Sequence, residues 1–474
     1  MERMEGVRSM KVQELQDRRR VLSDEPIEGE LFSKIVETWF RDESERLFTV
    51  CTAVHRQDFD RRIGGVRFLK EAYPASLREL GDLAHAMTWK AALCGLPADG
   101  EKTVVYCHGQ IPESVGEKAE VIAAHLRVLK EVDPGVVFGP DIGCDERVMD
   151  SLAHDHGLGD HVSGLTEGNG GFSIDEHGFT ACGLEVAMTA AANLLSWDLG
   201  RMTMAVQGFG AVGAHAARLL SEHGVKVVAA STRHGALFAG GGLPVETLFA
   251  AWKQGGEEGF RRILESPPPG VETLTSKDAL FEVKADIFVP AARTDVLKMP
   301  AELNDGLSQA SMDAKVFRKT SEVVVVLEGA NHPLSDRAEE YLMTEGVYVL
   351  PDYLVNCGGL IGCWMDWCHR EELVGAEQKT RQDLVEKALS YIRKTVFNNV
   401  GKIISDAGGG SDGFRRLTDL LARSEREKIQ EDFVTRRHGV KDRDGRALAL
   451  AHLDSRLQQA LRSDGSSKAK TGTN

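Results

Sequence analysis

Residues 203–213 read TMAVQGFGAVG. TMAVQ is a short apolar run of the kind that forms a buried strand, and AVGAHAARLLSEHG, starting at Ala211, has the apolar spacing of a helix. Between them Gly208, Gly210 and Gly213 make a GxGxxG. That spacing is weak alone, but after a strand and at the start of a helix it has the context of a dinucleotide-binding turn. Gly208 permits the tight turn, Gly210 lets a pyrophosphate approach the backbone, and Gly213 lets helix and strand pack closely. With Phe209, Ala211 and Val212 the turn presents backbone N–H groups and a helix dipole to phosphate. NAD or NADP is the expected cofactor.

The next strand, VKVVAA from Val225, ends in Ser231-Thr232-Arg233-His234. A carboxylate there would bind a ribose 2′-hydroxyl. Thr232 and the cationic Arg233 stand in its place, which favours NADP over NAD. Further along, ADIFVPAA, VVVVLEGA and VYVLP are strand-like runs separated by helical stretches, and an Ala-rich helix precedes them at 183–195. An insertion with glycine-rich turns (AGGG, 239–242) interrupts the series. This alternation predicts a parallel, doubly wound sheet.

The N-terminal part reads as mixed α/β. LFSKIVETWF places Leu31, Phe32, Ile35, Val36, Trp39 and Phe40 at helical spacing, which predicts a helix. Residues 48–55, 103–107 and 136–138 read as strands, and LRELGDLAHAMTWKAALC reads as a helix carrying Lys90 near its end. Lys102 follows twelve residues later in GLPADGEKTVV, after a Gly-containing turn. Two ammonium groups sharing one cleft repel, and burial adds to that, so one becomes a usable general base. Asp141, in GPDIG, ends a predicted strand. Each of these residues alone is better explained by a solvated surface than by chemistry. With a nucleotide turn they point to hydride transfer at an amine-bearing carbon.

Composition sets the bounds. The chain has 474 residues, 42% hydrophobic and 27% charged, and a formal net charge of -15. The negative charge disfavours nucleic acid and anionic membranes as partners and leaves small molecules. Eight cysteines in so long a chain form no disulfide framework. Cys363, Cys368 and His369 fit no closed zinc pattern, so no metal is expected. The N-terminus is charged, without an apolar h-region, and no apolar stretch approaches a spanning length of ~20 residues, so a cytoplasmic location is expected.

MTWK…GEKTVV, GPDIG, VQGFGAVG, VPAA, EGANHP and PDYLVNCGG, in this order between Phe48 and Trp367, resemble the dehydrogenases of glutamate, leucine, phenylalanine and valine, with wording closest to the leucine type. The resemblance implies Lys90 on the substrate α-carboxylate, Lys102 activating water and Asp141 shuttling a proton to the substrate nitrogen. It also implies Thr180, Ala291, Asn331 and Asn356 around the nicotinamide and its ribose, with Asn356 reaching the substrate too. It implies a homo-oligomer and two domains with a deep cleft between them. These would be a mixed α/β substrate-binding and oligomerisation domain (29–180) and a Rossmann domain (181–354), with a C-terminal helical region (355–463) returning to the first. A polar N-terminal extension (1–28) and a disordered tail (464–474) complete the reading.

Two departures bear on function. The family's loop before the catalytic lysine has small residues, whereas here it reads DGEK; a carboxylate at Glu101 favours the ammonium form of Lys102 unless it turns into solvent. Where glutamate dehydrogenases place a lysine before Gly-Gly, RRIGGVR has Ile63 before Gly64 and Gly65, and Cys363 stands seven residues after Asn356 where they have serine. Neither residue pairs a carboxylate, and an unpaired buried charge is costly. An apolar substrate of the Leu, Val or Phe kind is therefore expected. The alternatives are a glutamate enzyme with other side-chain contacts, such as Arg61 or Arg62, and a catalytically weakened nucleotide-binding regulator of the same fold.

Overall fold

The computed structural model describes residues 12–15, 19–22, 25–27, 30–70, 77–303, 311–411, 413–437, 449–453 and 455–456; the expected tail lies outside them. The chain forms two compact units, Met1–Ile174 with Leu360–Ala388 and Arg423–Asn474, and Asp175–Gly359 with Leu389–Ala422. The second of these takes in part of the C-terminal helical region.

The first unit is built on a seven-stranded mixed sheet. Val12–Glu14, Lys34–Asp42, Leu47–Val54 and Asp99–Cys107 pair antiparallel in turn. Arg62–Leu69 then lies parallel to both Asp99–Cys107 and Val136–Pro140. Arg20–Leu22 adds to Lys34–Asp42, so part of the stretch read as a polar extension joins the sheet.

Lys34–Asp42 is a strand, not the expected helix. Apolar residues four apart satisfy a period of 2 as well as 3.6. Val36 and Phe40 pack on one face with helices Val115–Val132 and Glu146–His154, while Ile35 packs on the other with Leu80 and Ala84 of helix Leu77–Leu93. Burial of both faces erases the polar alternation that marks a one-sided strand, and the β-branched and aromatic content suits the pleat.

Asp99, Gly100 and Glu101 likewise open the strand Asp99–Cys107 instead of forming a turn, and all nine of its residues are buried. Burial of Asp99 is supported by the Phe59 N–H, which donates to Oδ2 at 2.8 Å, and by the Arg426 guanidinium on Oδ1. Paired in this way, the carboxylate avoids the cost of an isolated buried charge.

The second unit carries the nucleotide turn. Its seven-stranded sheet runs Glu272–Thr273, Gly235–Phe238, Lys226–Thr232, Thr203–Gln207, Ile287–Pro290, Val325–Leu327, Tyr348–Leu350. The last five strands are parallel, as the alternation predicts, and the first two form an antiparallel edge. Chain order reverses between Thr203–Gln207 and Ile287–Pro290, the topological switch point at which doubly wound sheets bind ligands.

One stretch, Ile174–Leu195, is 22 residues long and apolar enough to match a membrane span, which the sequence reading did not anticipate. It is two helices broken at Gly178, whose φ is 65°, and 67% of its most apolar window is buried inside the fold, as in a core helix.

Candidate active site

The substrate-side residues gather on one face of the first sheet. Gly100 and Lys102 share a face of their strand, and helix Leu77–Leu93 lies directly on it: a Cβ at Gly100 would come within 2.2 Å of the Ala84 carbonyl. The Gly100 N–H donates to Thr88 Oγ1 at 2.9 Å. Thr88 and Gly100 each precede one of the two lysines by two residues, so this bond ties the helix of Lys90 to the strand of Lys102. Both lysines are buried.

Lys102 Nζ bonds Asp141 Oδ2, and Arg67 Nε reaches the same oxygen at 3.2 Å. Gly65 makes room for the group, since a Cβ there would lie 2.9 Å from Asp141 Cβ and 3.1 Å from Lys102 Nζ. Burial lowers the pKa of Lys102; Asp141 opposes the shift and the Arg67 guanidinium reinforces it. Burial alone would raise Asp141, but Lys102 and Arg67 beside it hold its carboxyl below the usual range. Arg67, a residue the sequence reading passed over, is thus a cation acting against the Lys102 proton. Its signal was alternation: Ile63, Gly65 and Arg67 are every second residue of one strand.

Glu101 does not turn into solvent. It is 0% exposed, on the opposite side of the strand from Lys102, and accepts from Thr103 Oγ1 at 3.1 Å. Gly64 covers it; a Cβ at Gly64 would fall 1.8 Å from the Glu101 carbonyl oxygen.

Ile63 is buried, and Cys363 is half-buried with Sγ 3.2 Å from where a Gly164 Cβ would stand and 3.7 Å from that of Gly139. Arg62 is committed to Asp133 and to the Phe59 carbonyl (2.9 Å), whereas the Arg61 guanidinium lies 4.9 Å from the centre of the Trp367 ring, one helical turn beyond Cys363.

In the second unit the turn after Thr203–Gln207 has the form its glycines require. Gly208 has φ 95°, and a Cβ at Gly213 would meet the Gly208 carbonyl at 2.0 Å. A Cβ at Gly210 meets nothing within 4 Å, and helix Ala211–Glu222 begins there without a side-chain cap. An open space above uncapped helical N–H groups fits a pyrophosphate. Phe209 contributes only backbone to this turn, its ring being buried against Phe260 with centroids 5.3 Å apart.

The remaining motifs converge on the same end of the sheet. The Ala291 N–H donates to the Gln207 carbonyl at 2.7 Å, and Asn356 Nδ2 donates to Asn331 Oδ1 at 3.1 Å and to the carbonyls of Gly329 and Ala330 at 3.3 Å. Thr180 Oγ1 stands 2.8 Å from a Cβ position at Gly359. Asn356 Oδ1 and Gln207 Oε1 are buried without a partner among the described residues. Orphaned acceptors beside the switch point suit the amide and hydroxyl groups of a nicotinamide nucleoside.

Two further groups were not found from sequence. Glu257, on helix Val245–Glu265, pairs with Arg233 at 2.6 Å and approaches His234 at 3.7 Å, so a carboxylate does stand near the end of the second strand. Arg415 joins Glu339, reaches Glu328 Oε2 at 3.1 Å and stands 3.9 Å from Asp352 Oδ1. Glu328 opens the EGAN turn and Asp352 the helix that ends at Asn356, and Asp352 Oδ2 also accepts from the His332 N–H at 3.1 Å. Arg415 therefore clamps the two turns that present Asn331 and Asn356.

Comparison with known proteins agrees with this geometry. The sequence pattern of the Glutamate/Leucine/Phenylalanine/Valine dehydrogenases matches residues 170–410, and that of the dimerisation domain of Glu/Leu/Phe/Val dehydrogenases matches 33–156. A glutamate dehydrogenase of Thermotoga maritima is 30% identical over 353 residues, covering 72% of this chain and 76% of its own. Among solved structures, the hetero-hexameric glutamate dehydrogenase of Thermus thermophilus in its Leu-bound form has a similar fold, with TM-score 0.63 and 24% identity over 84% of this chain and 88% of that one. Plasmodium falciparum glutamate dehydrogenase has TM-score 0.67 at 18% identity, over 85% and 83%. The chain belongs to the Glu/Leu/Phe/Val dehydrogenase family, oxidoreductases that act on the CH–NH2 group of an amino acid with NAD(P).

Proposed function

We propose that this chain catalyses the reversible oxidative deamination of an apolar L-amino acid to its 2-oxo acid and ammonia, as a homo-oligomer. The buried Lys102–Asp141–Arg67 group carries the reading. Lys90 holds the substrate α-carboxylate. The nicotinamide, when bound, accepts the hydride from Cα. Lys102, its proton loosened by burial and Arg67, takes a proton from the water that attacks the imine carbon. Asp141, whose carboxyl Lys102 and Arg67 hold below the usual range, exchanges a proton with the substrate nitrogen.

Buried Ile63 on the face of Lys102, and Cys363 in the place of a hydroxyl, support an apolar side chain. For the nucleotide, the cationic Arg233 supports NADP. Glu257 opposes it, but Arg233 is 74% exposed, and an exposed ion pair is worth only about 0–1 kcal/mol, so a 2′-phosphate can displace the carboxylate.

A second reading is glutamate as substrate, favoured by Arg61 standing over Trp367 near Cys363. Reductive amination with NADPH or NADH, ammonium and a panel of 2-oxo acids separates the two. The first reading expects turnover of 4-methyl-2-oxopentanoate or phenylpyruvate, unchanged in Arg61→Ala. Turnover confined to 2-oxoglutarate and lost in Arg61→Ala would replace it with the second. Silence on every oxo acid while nucleotide still binds would make the chain a nucleotide-binding regulator.

A further inference from the structure

Glu101 is a charged residue type enclosed on every side, directly behind the amine that the proposed reaction needs neutral. A hydrogen-bonded chain runs from it into the core. Thr103 Oγ1 lies 3.1 Å from Glu101 Oε2, Thr52 Oγ1 lies 2.6 Å from Thr103 Oγ1, His125 Nε2 lies 2.8 Å from Thr52 Oγ1, and Thr38 Oγ1 lies 2.7 Å from His125 Nδ1. Threonine hydroxyls both donate and accept, and a neutral imidazole has two tautomers. The chain is therefore self-consistent in both directions. With Glu101 ionised, Thr103 donates to it, Thr52 to Thr103 and His125 Nε2–H to Thr52, while Nδ1 accepts from Thr38. With Glu101 protonated, each bond reverses and the ring carries its hydrogen on Nδ1. His125 stays neutral in both, since burial pushes its pKa down to about 3.

We propose that Glu101 is a positioning residue for the Lys102 proton: carboxyl and amine hold one proton between them, and the neutral pairing, with the proton on Glu101, frees Lys102 to act as base. This rests on the reading of Lys102 as the water-activating base.

Charge balance supports it. Asp141 and Arg67 cancel, so Lys102 is stable either neutral beside a protonated Glu101 or charged beside an ionised one; these two states contain the same number of protons. Both side chains are buried, which raises the ion pair to the level of the uncharged pair, so that the two states share the proton. Among the described residues Glu101 Oε1 has no hydrogen-bond partner, a further penalty on the carboxylate. Other charges around Glu101 are already matched: Arg62 on the neighbouring strand is bound to Asp133, and Asp99, two residues earlier on the same side, is bound to Arg426. Burial is also the largest influence on the carboxyl, raising its pKa to about 8 against the opposing pull of Lys102, Thr103 and Arg62. Because the two groups face opposite sides of the strand, the proton does not pass directly from one to the other.

The test is the pH profile of kcat/KM for oxidative deamination between about pH 6 and 10, in wild type, Glu101→Gln and Thr103→Val. Wild type is expected to gain activity in two steps, the second as Glu101 ionises and full neutralisation of Lys102 is delayed to higher pH. Glu101→Gln collapses these to one step and reaches full activity about one to two pH units earlier, the size of shift a nearby opposite charge produces. Thr103→Val, which removes a hydrogen bond to the carboxylate, moves the second step to higher pH. Profiles of both variants superimposable on wild type would overturn the proposal. An inactive Lys102→Ala combined with such superimposable profiles would overturn this proposal alone; a fully active Lys102→Ala would overturn it together with the reading on which it rests.

Discussion

Arg415 lies outside the residues that the family pattern matches, yet the structure makes it the keystone of the nucleotide unit. Replacing it with methionine keeps most of the side-chain volume and removes the charge facing Glu328, Glu339 and Asp352. Breaking a buried ion pair from one side typically costs 3–5 kcal/mol, because the remaining charge stays buried and uncompensated. For a unit of about 150–250 residues, each kcal/mol shifts the midpoint by about 2–4 °C, so the nucleotide-domain transition should fall by about 6–20 °C at pH 8.

The loss should shrink on acidification, and the sign follows from linkage. Burial raises the pKa of both Glu328 and Glu339 above the usual carboxylate range even with Arg415 present. A folded-state pKa above the unfolded one contributes stability that is fully present below the unfolded value and lost as pH rises through the folded value. Without the cation the pKa values rise further, so protonation absorbs more of the damage at pH 5 than at pH 8. Calorimetry of Arg415→Met at both pH values reads this directly. An equal shift at both, or a midpoint unchanged at pH 8, would refute the electrostatic account. KM for the nucleotide should rise in parallel, because the same arginine fixes the turns of Asn331 and Asn356.

Glu257→Gln releases Arg233 and His234 for a 2′-phosphate, so KM for NADP should fall several-fold, within the roughly 1 kcal/mol of an exposed pair, while KM for NAD stays constant. Steady-state kinetics with both nucleotides decides; an equal change for the two would place Glu257 outside nucleotide selection. The Glu101→Gln pH profile and the Arg61→Ala substrate panel complete the set.

The nucleotide unit was the more legible half because its signals are local. A strand, a GxGxxG and a helix lie within about 20 residues, and the turn follows from its own glycines: Gly208 takes a positive φ, Gly213 abuts the Gly208 carbonyl and Gly210 leaves the helix N-terminus open. The spacing of Lys90 and Lys102 and the position of Asp141 were also readable. What escaped was decided by tertiary context. LFSKIVETWF has apolar residues four apart, and only burial on both faces makes it a strand. The sense of Glu101 reversed for a similar reason: alternation correctly turned it away from Lys102, but the space it entered is core and not water. Glu257 lies 24 residues from Arg233 and Arg415 lies 59 from Asn356, and nothing in their local sequence marks them; Arg67 was marked only by its alternation with Ile63 and Gly65.

The central claim is that Lys102 is the base of an amino-acid dehydrogenase. Its most direct test is turnover of the preferred amino acid by Lys102→Ala, with nucleotide binding measured on the same preparation. The account predicts a fall in kcat of about 10²–10⁴-fold, the usual contribution of a general base, with nucleotide affinity unchanged. A variant that retains wild-type kcat would contradict it.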